Sequence, residues 1–109
     1  MSTGTLPDQS VGIRSADDIR DALRLLSCPS GKPRRKGAQA AYRWALKPSA
    51  TPPVGMDPAP ADPTLRVMAQ ERLALALARD PGLDRQHRRY ARGVAQALGW
   101  VLGYSPDRP

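Results

Sequence analysis

The sequence predicts an all-α fold: two helical hairpins packed as a small four-helix unit and joined by a Pro-rich connector. Three observations carry that expectation. Apolar residues recur at helical spacing in four separate stretches. Capping and stop signals bracket those stretches. Six prolines between positions 48 and 63 divide the four stretches into two pairs. The resulting organisation is a flexible tail over 1–14, hairpin one over 15–47, the connector over 48–63, hairpin two over 64–104, and a short tail over 105–109.

Residues 1–14 contain Gly, Pro, Ser and Thr without periodicity, which reads as a loose tail. Ser15, with Asp18 three residues on, opens the first helix as a variant of the capping box, and Asp17 and Asp18 suit the positive end of its dipole. Ile19, Ala22, Leu23 and Leu26 form its apolar stripe, while Asp17/Arg20 and Asp21/Arg24 are paired on the outer face. The stretch Cys28-Pro29-Ser30-Gly31 ends it. The second helix is expected from about Arg35 to Lys47. Its stripe is Ala38, Ala41, Tyr42 and Ala45, with Trp44 and Leu46 beside it, and Pro48 stops it.

The third helix begins at Asp62-Pro63-Thr64, a cap residue followed by proline at the first helical position, and continues to about Arg79. Its second half, Leu73 to Ala78, is apolar all round and is expected to be buried between other helices. Asp84 caps the fourth helix, whose core stripe is Tyr90, Val94, Leu98 and Val101. Gly103 supplies the stop.

The two halves correspond. With Arg20–Pro29 placed over Arg72–Pro81, Arg20/Arg72, Ala22/Ala74, Leu23/Leu75, Leu25/Leu77 and Pro29/Pro81 are identical. With Lys36–Leu46 placed over Arg92–Leu102, Gly37/Gly93, Ala41/Ala97, Trp44/Trp100 and Leu46/Leu102 match. The expectation is an internal duplication: two hairpins, each closing with a Trp-bearing helix, packed pseudo-symmetrically. The alternative is coincidence in a chain where Ala, Arg, Pro and Gly make up 51 of 109 residues, a composition typical of GC-rich coding sequence in high-GC bacteria and their phages. Gly37, Gly93 and Gly99 fall in helical stretches, where each costs about 1 kcal/mol relative to Ala. Close helix–helix approach would account for them, as would codon bias.

Composition narrows the function classes. The formal charge is +7, with 14 Arg against 3 Lys. There is no Phe and only five aromatic residues, Tyr42, Trp44, Tyr90, Trp100 and Tyr104. At roughly 25 cal/mol per Å² of apolar surface, a core of Ala, Leu and Val is marginal in so short a chain, and a homodimer is one ordinary remedy. Cys28 is the single cysteine, so no internal disulfide or Cys-based metal cluster is expected. The start, MSTGTLPDQS, lacks the pattern of a secretory signal, and the longest apolar run is far short of a membrane span. The expectation is a cytoplasmic protein with no membrane partner.

Catalytic patterns are missing. Paired carboxylates, a Gly-rich phosphate loop and metal-ligand spacing do not occur. His87, beside Asp84, and Cys28 are not oriented into a dyad by any motif, and Glu71, the sole glutamate, has no assigned role. No enzyme activity, cofactor or metal is expected.

The charge is concentrated instead. Residues 28–47 hold six basic and no acidic residues, and 85–109 hold five basic and one acidic. The candidate anion-binding residues are Lys32, Arg34, Arg35 and Lys36 in one cluster, and Arg85, Arg88, Arg89 and Arg92 in the other. Both clusters lie where a helix begins, although cations there oppose the dipole. Free backbone N–H groups and cations converging at a helix start suit phosphate. The favoured expectation is sequence-independent association with nucleic acid. The alternative is an adaptor or inhibitor docking on an acidic protein surface. Tyr90 lies on the core stripe of its helix, not among stacking groups.

Overall fold

The computed structural model describes residues 10–11, 14–26, 32–47, 52–54 and 63–104. The stop at 28–31, the Asp62 cap, most of the connector and both chain ends, 1–9 and 105–109, lie outside the described residues. Four helices pack against one another: α1 (Ala16–Leu25), α2 (Pro33–Leu46), α3 (Pro63–Ala78) and α4 (Arg85–Val101). Ahead of α1, two short segments, β1 (Ser10–Val11) and β2 (Arg14–Ser15), pair antiparallel with Ser10 opposite Ser15.

The local signals explain the helix ends. Ser15 Oγ accepts the backbone N–H of Asp18, 3.2 Å away, which satisfies one of the first free amides of α1. The outer-face pairs form, Arg20–Asp17 at 2.8 Å and Arg24–Asp21 at 3.5 Å. Helix α2 starts two residues before Arg35 because Pro33 takes the first helical position, where its missing N–H costs nothing. Asp84 caps α4 by accepting the His87 amide at 2.8 Å. At the far end of α4, Gly103 has φ 81°, Tyr104 N–H bonds the Gly99 carbonyl at 2.8 Å, and Gly103 N–H bonds Trp100 at 3.0 Å. That is a Schellman stop, in which a non-glycine residue at Gly103 would be strained.

Helix α4 is the hub. It packs most extensively on α2 and then on α3, while α1 packs on α2. Nine of its seventeen residues are buried. The core joins Ile19 and Ala22 of α1, Ala38, Ala41, Tyr42, Trp44 and Ala45 of α2, Val67 and Ala74 of α3, and Val94, Ala97, Leu98, Trp100 and Val101 of α4. The edge of Trp100 meets the face of Tyr42, or the reverse, at 5.9 Å between centroids and 83° between planes.

The apolar second half of α3 is not enclosed as its composition suggests. Ala74 is fully buried, but Leu75 is 38% exposed and Ala76 is exposed. The reason is that α3 leans mainly on one neighbour, α4, so its opposite side faces outward.

Four contacts tie β2 and the connector to this bundle. The Arg14 guanidinium lies 4.8 Å from the centre of the Trp100 ring, and Arg14 Nε donates to the Trp100 carbonyl at 3.0 Å. Within the connector, Tyr90 Oη donates to the Pro53 carbonyl at 2.9 Å, and Val54 N–H donates to Oε1 of the buried Gln70 at 3.3 Å.

Candidate anion-binding surface

The geometry of the surface begins with the α2–α4 contact. Pro33 and Lys36 share a cleft with Gln86, His87 and Tyr90, and further along Tyr42 meets Trp100. Contacts advance together on both helices, so α2 and α4 run in the same direction and begin at the same end. Their two positive dipole ends therefore lie side by side.

At this crossing Gly37 and Gly93 let the backbones touch. A Cβ on Gly37 would collide with the Tyr90 carbonyl oxygen and stand 3.0 Å from its carbon. A Cβ on Gly93 would collide with the Arg34 carbonyl oxygen and stand 2.8 Å from its carbon. The contact is reciprocal: each glycine meets the residue three before the other glycine. Gly99 is different, since nothing lies within 4 Å of a Cβ built there, and close approach does not account for it.

That crossing brings the two clusters together. Arg34 abuts Gly93, and Arg89 and Arg92 are the residues four and one before Gly93 on α4. At about 100° per residue, Arg85, Arg89, Arg92 and Gln96 share one line down α4. Gln96 ends that line, and its Oε1 accepts from Arg34 Nε at 2.8 Å. Lys32, Arg34 and Arg35 border a recess floored by Leu26, Ala38 and Gly93, with Gln96 at its edge. Arg85, Arg88, Arg89 and Arg92 border a second recess against Ala78, at the end of α3. Seven of the eight candidate cations thus form one run, from Arg85 along α4 and across Gln96 to Arg34, Arg35 and Lys32.

Lys36 is the exception. It lines the cleft on the other flank of α2, with Pro33, Gln86, His87 and Tyr90. On that flank Tyr90 is half-buried and bonded to Pro53, and burial raises the pKa of its hydroxyl. The ring packs against the core on this flank.

Electrostatically the run works against the fold. Arg85/Arg88, Arg85/Arg89, Arg88/Arg92 and Arg89/Arg92 are like-charge pairs three or four residues apart, each costing a helix about 0.2–0.5 kcal/mol. Among the described residues none of Arg35, Lys36, Arg85, Arg88, Arg89 or Arg92 is ion-paired with a carboxylate. Among the described residues, three aspartates are engaged elsewhere. Asp17 and Asp21 pair on α1, and Asp84 accepts from His87 at both its backbone N–H and, at 2.7 Å, its ring Nδ1. These His87 bonds lower the Asp84 pKa. The Asp84 carboxylate also takes up the His87 amide, one of those at the α4 start that could otherwise meet an anion, whereas no side chain caps α2 at Lys32.

His87 is exposed and bonded only within its own helix turn. Cys28 lies outside the described residues. Among the described residues no three ligating groups gather around a possible metal position, and no helix is long and apolar enough to cross a membrane.

Sequence reasoning gathered the cations but passed over Gln96 and the bridging part of Gly93. Gln96 was within reach, because it continues the Arg85–Arg89–Arg92 spacing by one further turn. The approach of Arg34 to Gly93 is tertiary and has no local signal. In comparisons with known proteins, no family model, no curated protein and no solved structure matches the chain.

Proposed function

We propose that this is a non-enzymatic nucleic-acid-associating protein that contacts phosphates through Lys32, Arg34, Arg35, Arg85, Arg88, Arg89 and Arg92. The observation that carries the reading is the joining of the two clusters at Gly93 and Gln96 into one cationic run. Gathering these groups over two adjacent helix starts opposes helix stability twice, through the dipoles and through like-charge pairs. A polyanion relieves both penalties, because its phosphates bring negative charge to the uncapped start of α2 and to the crowded arginines of α4. Arg suits this work, since its planar fork bonds two phosphate oxygens at once. The run displays no recognition helix whose polar side chains would read base edges, so binding is expected to be sequence-independent.

The reading makes a quantitative demand. With about six phosphate contacts, affinity should fall roughly 10³-fold between 50 and 200 mM salt. Fluorescence anisotropy with labelled oligonucleotides at both salt concentrations checks it. Undetectable binding at about 50 mM, where backbone contacts are strongest, removes nucleic acid as the partner. Nuclease-resistant capture of one acidic protein by the same surface would then support the adaptor reading.

A further inference from the structure

Building on the proposed nucleic-acid reading, we infer that the form bound is a duplex and not a single strand. The argument rests on where the aromatic rings are. Tyr42, Trp44 and Trp100 are 1%, 2% and 5% exposed, so none presents a face to a base. Tyr90 is half-buried on the flank away from the cationic run, and its hydroxyl is held by Pro53. Tyr104 is 61% exposed, but it lies past the Gly103 stop of α4, outside the helix that carries the arginines. The run from Arg85 to Lys32 therefore contains no stacking platform.

Single-strand binders depend on such platforms, adding base–aromatic stacking to a basic groove. A surface with cations and no aromatic face gains its affinity chiefly from the density of phosphates it meets. Duplex DNA presents one charge per about 1.7 Å of axis, twice that of either of its strands. The polar side chain inside the run, Gln96, has its carbonyl oxygen committed to Arg34. That leaves Gln96 without a free donor–acceptor pair for the two-point reading of an adenine edge.

The test is a competition at about 50 mM salt, where phosphate contacts dominate. A labelled 20-base-pair duplex, DNA in one arm and RNA in the other, is bound to the full chain. It is displaced with unlabelled duplex or with unstructured oligo-dT or oligo-U of matched length. The expected result is that at least one duplex competes about tenfold better than its single strand. Equal or better competition by the single strands overturns the inference and leaves the nucleic-acid reading standing. Failure of the labelled duplex to bind, with single strands binding directly, does the same. Binding to neither form overturns both.

Discussion

Helices α2 and α4 are near-counterparts along their shared interface and part company at single positions on the flanks beside it. When Lys36–Leu46 is laid over Arg92–Leu102, the inner-face pairs match in burial: Ala38 with Val94, Ala41 with Ala97, Tyr42 with Leu98, Trp44 with Trp100, and Ala45 with Val101 are all buried, whereas exposed Arg43 falls against buried Gly99. Gly37 and Gly93 make the same contact in mirror roles. Extending the pairing two residues back sets Arg34 against Tyr90, and there the likeness stops. Arg34 reaches Gln96 on the cationic flank, whereas Tyr90 reaches Pro53 beneath the connector. Packing density constrains the shared interface, so substitutions there are felt. The outer flanks carry no such constraint, and one has become charged while the other is covered. The difference teaches that the reciprocal crossing sets the fold, and that the departure from reciprocity marks the candidate surface.

The crossing is where the comparison breaks most violently. Gly93→Ala or Gly37→Ala places a methyl against backbone that cannot move independently, and each should cost about 3 kcal/mol or more. The double variant should cost less than the sum, because either methyl already forces the helices apart. Gly99→Ala meets open space and should stabilise by about 0.5–1 kcal/mol. Urea denaturation of the four variants tests the set, and equal losses at Gly93 and Gly99 would contradict the geometry.

The two tryptophans sharpen the comparison at a smaller scale. Trp44 Nε1 is buried without a hydrogen-bond partner, while the ring of Trp100 carries the Arg14 guanidinium. Replacing Trp44 with Phe removes an unsatisfied donor, and replacing Trp100 with Phe weakens a cation–ring contact. Trp100→Phe should be the more destabilising, by about 1 kcal/mol, in the same denaturation assay.

The smallest effect concerns charge on α3. When Arg20–Pro29 is laid over Arg72–Pro81 and the pairing is extended one residue back, Ile19 falls against Glu71. Ile19 is fully buried, and Glu71 is 8% exposed with its pKa raised by burial against the opposing pull of Arg72. A carboxyl whose folded pKa is raised favours the fold when protonated, so its contribution is present in acid and lost as pH rises through the folded value. Glu71→Gln should therefore stabilise the protein near pH 7, by about 1 kcal/mol or less, and lose that advantage near pH 4. Asp84 has the opposite sign: its lowered pKa stabilises the fold above 3.8, and the gain is lost as pH falls through its folded value. Thermal melts of wild type, Glu71→Gln and Asp84→Asn across pH 3–7 separate the two.

How much of this was legible in the residues follows from which interactions are local. Ser15, Asp84 and Gly103 act within one turn of themselves, and they mark two helix starts and a stop in the sequence as in the structure, whereas Pro33, which opens α2 two residues before the expected Arg35, was passed over. The inner stripes were legible because burial repeats at helical spacing. The exposure of Leu75 was not, since a helix apolar all round does not say how many neighbours it has. Nor was the placing of Arg14 on Trp100, a contact between residues 86 positions apart. For the candidate surface, the clusters were legible as composition. Their meeting, and the separation of Lys36 from the rest, depended on the direction in which α2 and α4 run.

The most direct test of the joined cationic run compares the salt dependence of nucleic-acid binding for Arg34→Ala, Arg89→Ala and Lys36→Ala. Each phosphate contact contributes about 0.9 to the slope of log K against log salt for a duplex. The slope should become shallower by about one for Arg34→Ala and for Arg89→Ala, by about two for the pair, and should not change for Lys36→Ala. An equal loss at Lys36, or an unchanged slope at Arg34 and Arg89, would contradict it.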